Sequence, residues 1–302
     1  MRWDDFRRSD NVEDDRDESI GGGFGVPGGV HGLGIGTVIV LGLIGWALGI
    51  DPRVLIGGAE IVTGRGPVMQ QDYPRAPVAR GPRDSETTDF VAAVLGDTED
   101  RWGDMFATMG RTYHPPRLHL YSGAFEGGCG LARSAMGPFY CPRDRSVYLD
   151  LSFFQDMQDR FAACSDAKAC RFAEAYVIAH EVGHHVQDEV GTLPRVTQAQ
   201  TAASSQAQVN ALQVRVELQA DCYAGIWAHR AQARHNFLDP GDLDQALRTA
   251  SAIGDDRLQK EMQGYVVPDS FTHGTSAQRK RWFLNGFNSG QLSACDTMTG
   301  AP

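Results

Sequence analysis

The sequence predicts an α+β protein, mostly helical with a small sheet, preceded by one transmembrane helix. Three observations carry that reading. Two short runs, around Leu118–Leu120 and Val147–Leu151, have the residue types and alternation of strands. Beyond Phe154 the chain reads as helix almost to its end. Between Ile20 and Ile50, His31 aside, no residue carries a formal charge.

A chain of 302 residues can hold one good-sized domain with appendages. Its net charge of −10, with 22% charged residues, argues against a nucleic-acid partner. The densest basic cluster, Arg279-Lys280-Arg281, reads as one face of a C-terminal helix.

Residues 1–30 form a polar and Gly-rich N-terminal segment. A transmembrane helix is expected over residues 31–50, because Leu33–Ile50 is an apolar run of 18 residues, close to what a bilayer requires. Gly34, Gly36, Gly42, Gly45 and Gly49 suit a membrane helix packed against a neighbour. The segment before it is acidic overall and offers no small-residue cleavage site, so an anchor is favoured over a signal peptide. Arg2, Arg7, Arg8 and Arg16 precede the span, while Arg53 and Arg65 follow it, which places the N-terminus in the cytoplasm. The cysteines place the rest outside. There are six, with no C-x-x-C pair, and the short spacings suggest Cys129–Cys141 and Cys164–Cys170, leaving Cys222 with Cys295. The alternative is a set of reduced thiols in a cytosolic protein. The expectation is therefore a single-pass membrane protein whose larger part is extracytoplasmic, on the periplasmic or cell-surface side, with the lipid bilayer met through residues 31–50.

Residues 51–86, rich in Gly, Pro and Arg, read as a linker. The domain proper spans 87–299. Thr88 caps a short helix bearing Phe90, Val91, Val94 and Leu95 on one face, and a second helix runs around Trp102 to Met109. Leu118 and Leu120 alternate with Arg117 and His119, as in a half-buried strand, and Val147–Leu151 gives a second one after a Gly- and Cys-bearing loop.

The run Ala173–Gln187 is apolar around most of its circumference, which describes a buried helix. Within it lies His180-Glu181-Val182-Gly183-His184, an H-E-x-x-H sequence. Residues four apart on a helix lie about 40° apart around the axis, so both imidazoles face one way and can share a metal ion. Glu181 is then placed to take a proton from an attacking water. Burying two histidines and a glutamate without such a ligand would cost desolvation. A third ligand is offered by Glu217-Leu218-Gln219-Ala220-Asp221, whose two carboxylates share a helix face beside the apolar stripe of Val209, Leu212, Val216, Ala220, Tyr223 and Trp227. Glu217 would bind the metal, and Asp221 would accept a hydrogen bond from a ligand histidine. Two His and one Glu leave a position open, the mark of a catalytic zinc rather than a structural one. His185 points about 100° away from His184 and reads as a supporting or packing residue. Cys222, about 140° round from Glu217, suits a disulfide better than a ligand role. Gly183 would let the metal site or a neighbouring strand approach closely. The polar stretch from Asp188 to about Ser205 reads as a loop between the two ligand helices.

The segments HEVGHHVQ, ELQADCYAGIWA, GPFYCPRDRSVYLDLSFF and the MRWDDFRRS start resemble the neutral zinc metallopeptidases of bacteria, over nearly the whole chain. The two ligand segments are also similar to the gluzincin proteases, which pair H-E-x-x-H with E-x-x-x-D. The resemblance implies a zincin-like metalloprotease domain with its active-site helix beneath a small sheet. It implies one Zn2+ per chain held by His180, His184 and Glu217, with Glu181 as catalytic base and Asp221 supporting a ligand, and a protein or peptide as substrate. Gluzincin relatives hold the substrate backbone on a strand edge, a role that would fall here to Tyr148, Leu149 and Asp150. Similar membrane-associated gluzincins carry a late T-H-P motif with an arginine six residues past its His. Thr272-His273-Gly274 followed by Arg279 matches it, with glycine for proline, and would make His273 an oxyanion stabiliser. The reading of another class is a catalytically silent scaffold or interaction protein that keeps the fold and the metal.

Overall fold

The structure, a computed structural model, describes residues 1–17, 85–159, 167–252, 254–256 and 265–299. Strand β1 (Val12–Asp14) pairs in parallel with β2 (Arg117–Tyr121), in register Glu13 to His119. A β-hairpin, β3 (Ala124–Gly127) and β4 (Gly130–Arg133), comes next in the chain. It leads to β5 (Phe139–Cys141) and β6 (Ser146–Asp150). The four-stranded sheet runs β1-β2-β6-β5, with β6 parallel to β2 and β5 antiparallel at the edge.

Side chains alternate across a strand, and both faces of this sheet are covered. Leu118, Leu120, Val147 and Leu149 enter the main core on the helical side. Tyr121, Tyr148 and Cys141 form a second cluster on the other side with Ala132 of the hairpin, which the Cys129–Cys141 disulfide fastens to β5. For that reason β6 is buried at all five positions rather than at alternate ones.

A single helix, α1 (Ser85–Thr108), replaces the two short ones expected, and Thr88 lies inside it. In the fold Gly96 is where the N-terminal segment crosses, since a Cβ there would stand 2.1 Å from the Arg7 carbonyl oxygen. Asp97 is buried as a partner, accepting hydrogen bonds from Trp227 Nε1 at 2.8 Å and His235 Nε2 at 3.0 Å. After α2 (Ser152–Asp159) come the long helices α3 (Ala167–Glu189) and α5 (Gln206–His235). The expected loop between them is largely helix α4 (Thr192–Thr201), entered through a left-handed turn at Gly191 (φ 78°). Pro194 falls in its first turn, where a missing N–H costs nothing, and Val196 is buried. Then α6 (Asp242–Ala252) and α7 (Ser276–Ser289) follow, the latter opened by a capping box of Thr275 and Gln278.

Two glycine contacts set the helix packing. A Cβ on Gly183 would lie 3.0 Å from the Ala220 carbonyl oxygen, so the close neighbour is helix α5 and not a strand. Where α5 crosses α7, a Cβ on Gly225 would meet the Phe283 carbonyl oxygen at 2.1 Å, and one on Gly286 the Cys222 carbonyl oxygen at 1.9 Å. The Cys222–Cys295 disulfide forms as expected, and Cys170 is also disulfide-bonded; its expected partner Cys164 lies outside the described residues.

The first seventeen residues are part of this unit, not a separate segment. Met1 and Phe6 are in the core, Arg7 pairs with Glu99 at 2.6 Å and Arg8 with Asp89 at 2.7 Å. The expected span 31–50 and most of the linker 51–86 lie outside the described residues, and Ser85–Glu86 already belong to α1. Among the described residues no helix is long and apolar enough to cross a membrane. Because β1 is paired with β2, Val12–Asp14 and Arg117–Tyr121 lie on the same side of any membrane that the chain meets.

Gly286→Ala forces two backbones apart and should cost roughly 2–3 kcal/mol in urea denaturation. Gly103→Ala, with open space around it in α1, should instead gain about 0.5–1 kcal/mol. In intact cells a membrane-impermeant maleimide should treat Asp10→Cys and Gln291→Cys alike, labelling both or neither. Labelling of one alone would break the shared-side topology.

Candidate metal centre

His180 and His184 sit one turn apart on α3, and Glu217 and Asp221 one turn apart on α5. The Gly183–Ala220 approach brings the two pairs together. His180 Nε2 lies 3.2 Å and His184 Nε2 3.6 Å from the same Glu217 oxygen, Oε2. The two rings are nearly perpendicular at 87°, with centroids 4.8 Å apart. A tetrahedral zinc with bonds of about 2.0–2.1 Å holds its ligand atoms roughly 3.3 Å apart. The donor set and its spacing therefore fit zinc, with all three atoms within 4.8 Å of one another.

The atoms that face away are each held. His180 Nδ1 donates to Asp221 Oδ1 at 2.9 Å, and His184 Nδ1 to Gln187 Oε1 at 2.9 Å. Gln213 Nε2 donates to Glu217 Oε1 at 2.8 Å, leaving Oε2 for the histidines. Asp221 is fully buried and also accepts from Tyr176 OH at 2.5 Å and from Arg279 Nε and Nη2 at 2.8 and 2.9 Å. Arg279, on α7, is itself buried.

These contacts set the charges. Burial opposes the charged form of Asp221, but the Arg279 guanidinium outweighs it, and the carboxyl is held down at about 2. Burial likewise opposes the His180 imidazolium, yet Asp221 and Glu217 raise it to about 10. His184 is raised in the same way by Glu217, whose own carboxyl is held well below the usual range. The centre thus favours positive charge between one carboxylate and two imidazoles, supplied by protons or by a cation. Metal uptake at such a site must displace protons. Glu181 is largely buried beside both histidines, and its carboxylate has no hydrogen-bond partner among the described residues.

His273 is close enough to Glu217 for the two to act on each other electrostatically. Asp255 Oδ2 accepts from the backbone N–H groups of Thr272, His273 and Gly274 at 2.7, 2.6 and 3.0 Å, and Asp255 Oδ1 from His273 Nδ1 at 3.2 Å. The departure from T-H-P is explained here. Gly274 adopts φ 88° and donates its N–H, and proline can do neither. Burial opposes the His273 imidazolium, but Asp255 and Glu217 raise its pKa, and His273 in turn lowers that of Glu217.

Three expected site residues lie elsewhere. Tyr148 is in the inner strand β6, flanked by β2 and β5, with its ring stacked between His119 and Phe139 and its hydroxyl on Asp144. Leu149 points into the core. Asp150 accepts from Gly123 N and Ser152 N, both at 2.9 Å, and from the Ser134 hydroxyl. On the side of the sheet away from β1 the rim is β5, which packs on α3 through Tyr140 and His185. His185 Nε2 donates to the His114 carbonyl at 2.7 Å, and Nδ1 lies 3.1 Å from Tyr140 OH, so this histidine supports and does not bind metal. A second cluster, Glu13, Asp15 and His119, is accounted for by pairing: His119 Nδ1 meets Asp15 at 2.6 Å and Arg117 meets Glu13 at 2.9 Å.

Tyr176, Gln187, Gln213 and Asp255 were not singled out by the sequence. Tyr176 precedes His180 by one helical turn, a spacing that could have marked it. Arg279 stands in the sequence both on a basic helix face and six residues past His273, and neither placement says that it is buried.

The folded-state pKa of Asp221, about 2, lies below that of an unfolded aspartate, about 3.9. Its contribution to stability is therefore complete above about pH 4 and is lost as pH falls through that value toward 2. Arg279→Met strands the carboxylate and should cost about 3–5 kcal/mol at neutral pH. The wild-type advantage, followed by urea denaturation, should shrink on acidification; a constant advantage from pH 7 to 3 would contradict the pairing.

Comparison with known proteins agrees with this geometry. A family model described as "Putative neutral zinc metallopeptidase" matches residues 1–298. The chain is 49% identical over 302 residues to "Uncharacterized protein YpfJ" of Escherichia coli (strain K12), covering 98% of both. It is 38% identical over 266 residues to "Uncharacterized protein Rv2575" of Mycobacterium tuberculosis (strain ATCC 25618 / H37Rv), covering 84% of this chain and 85% of the relative. No solved structure matches it. With two histidines, a glutamate and a free carboxylate converging inside that match, the chain belongs to the neutral zinc metallopeptidase family.

Proposed function

We propose that the chain is a zinc-dependent endopeptidase that hydrolyses peptide bonds, using one zinc ion per chain. The observation that carries this reading is the convergence of His180 Nε2, His184 Nε2 and Glu217 Oε2, with the unpartnered Glu181 beside them. When bound, zinc supplies Lewis acidity, activating water near neutral pH and polarising the scissile carbonyl. Glu181 accepts the proton of the attacking water and returns it to the leaving amine. His273, held by Asp255, donates a hydrogen bond to the oxygen where charge develops. The peptide lies along β5, whose antiparallel outer edge can accept a further strand.

The reading places the catalytic unit outside the cytoplasm. In its support stand the Cys129–Cys141 and Cys222–Cys295 disulfides, which need an oxidising compartment to persist. Membrane contact through residues 31–50 rests on the apolar composition of that stretch.

Glu181→Gln should keep zinc at wild-type stoichiometry while cleavage of unfolded casein falls by about 10²–10⁴-fold. Equal null activity in wild type and variant, both carrying zinc, would favour the silent scaffold.

A further inference from the structure

The two imidazoles are braced in different ways. His180 leans on a charged partner, Asp221. His184 leans on a neutral chain of two buried glutamines that ends at the C-terminal tail. Its Nδ1 is 2.9 Å from Gln187 Oε1. Gln187 Nε2 donates to the Val216 carbonyl at 2.8 Å and to Gln219 Oε1 at 3.1 Å. Gln219 Nε2 donates to the Cys295 carbonyl at 3.0 Å.

The direction of this chain is fixed by chemistry. Backbone carbonyls only accept, so both amides must turn their nitrogens toward Val216 and Cys295. Gln187 is then left with an oxygen toward His184, and the proton of that imidazole is drawn to Nδ1. Nε2 keeps its lone pair on the side of Glu217. The Cys295 carbonyl is immobilised by the Cys222–Cys295 disulfide and by the Thr297 N–H that donates to it at 3.0 Å. Thr297 is itself held by Arg215, which donates to its carbonyl at 2.5 Å while the Arg215 carbonyl accepts from Thr297 Oγ1 at 2.6 Å.

We propose that Gln187 and Gln219 are positioning residues that carry the anchorage of the C-terminal tail to His184, and so set the metal affinity of the centre. The proposal rests on the zinc reading. It makes the Cys222–Cys295 disulfide part of the metal site without a sulfur touching the metal. Opening that disulfide would loosen the Cys295 carbonyl, free the Gln219 amide to turn, and weaken the preference of His184 for the ligand tautomer.

The test is zinc affinity of the full chain, by competition with a chromophoric chelator at fixed pH, for wild type, Gln187→Met, Gln219→Met and the double variant. Methionine keeps side-chain length without hydrogen bonds. Each single change should weaken zinc binding by about tenfold, and the double variant should be no weaker than either, because one chain is broken only once. Adding Cys222→Ser and Cys295→Ser to Gln219→Met should bring no further loss. In the zinc-loaded protein the downfield Nδ1–H resonance of His184 should vanish in Gln187→Met while that of His180 persists. Unchanged affinity in either single variant, losses that sum, or equal disturbance of both histidines would overturn the proposal. Absence of zinc from the wild type would instead overturn the zinc reading.

Discussion

The structure depends on the distance at which helices α3 and α5 pass each other. At Gly183 an added Cβ would stand 3.0 Å from the Ala220 carbonyl oxygen, and this close approach brings a glutamate on one helix within reach of two histidines on the other. The electrostatics follow from that closeness. Three donors brought together in a buried place demand positive charge, and the pKa displacements of His180, His184 and Glu217 express one shared requirement rather than three separate ones.

Around this contact the protein builds rigidity in layers. Helix α7 is drawn onto α5 by two further glycines, and that approach delivers the Arg279 guanidinium to Asp221. A buried guanidinium–carboxylate pair is a weak source of net stability, yet it fixes geometry when every donor is matched. Here Tyr176 shares both partners. The sheet does similar work on the other side of α3, where Tyr140 and His185 hold β5 against that helix.

What the sequence disclosed follows the range of the interactions. H-E-x-x-H and E-x-x-x-D are helical spacings within a single element, so the convergence of His180, His184 and Glu217, with Asp221 beside His180, could be read directly. The alternation at Leu118–Leu120 gave a strand for the same reason. Features set by chain crossings were not legible. The Arg7 carbonyl that lies against Gly96 comes from the start of the sequence, and the burial of Arg279 appears only once α7 is packed. Tyr148 and Asp150 were misassigned because a strand's place in a sheet depends on pairing across distant segments. The polar stretch after Asp188 lacks apolar periodicity yet is helical, since Ala, Gln and Thr permit a helix and Gly191 supplies the turn into it.

Strand β1 comes from the extreme start of the chain, yet its partner β2 begins a hundred residues later, at Arg117. The first seventeen residues are held by a ladder, by Phe6 in the core and by three arginine–carboxylate contacts on α1, from Arg7 to Glu99 and Asp100 and from Arg8 to Asp89. That attachment is independent of the covalent path through the intervening segment. A proteolytic nick in that segment would accordingly leave two complementing fragments, a short amino-terminal peptide and the body that carries the metal-ligand cluster, associated without a continuous backbone.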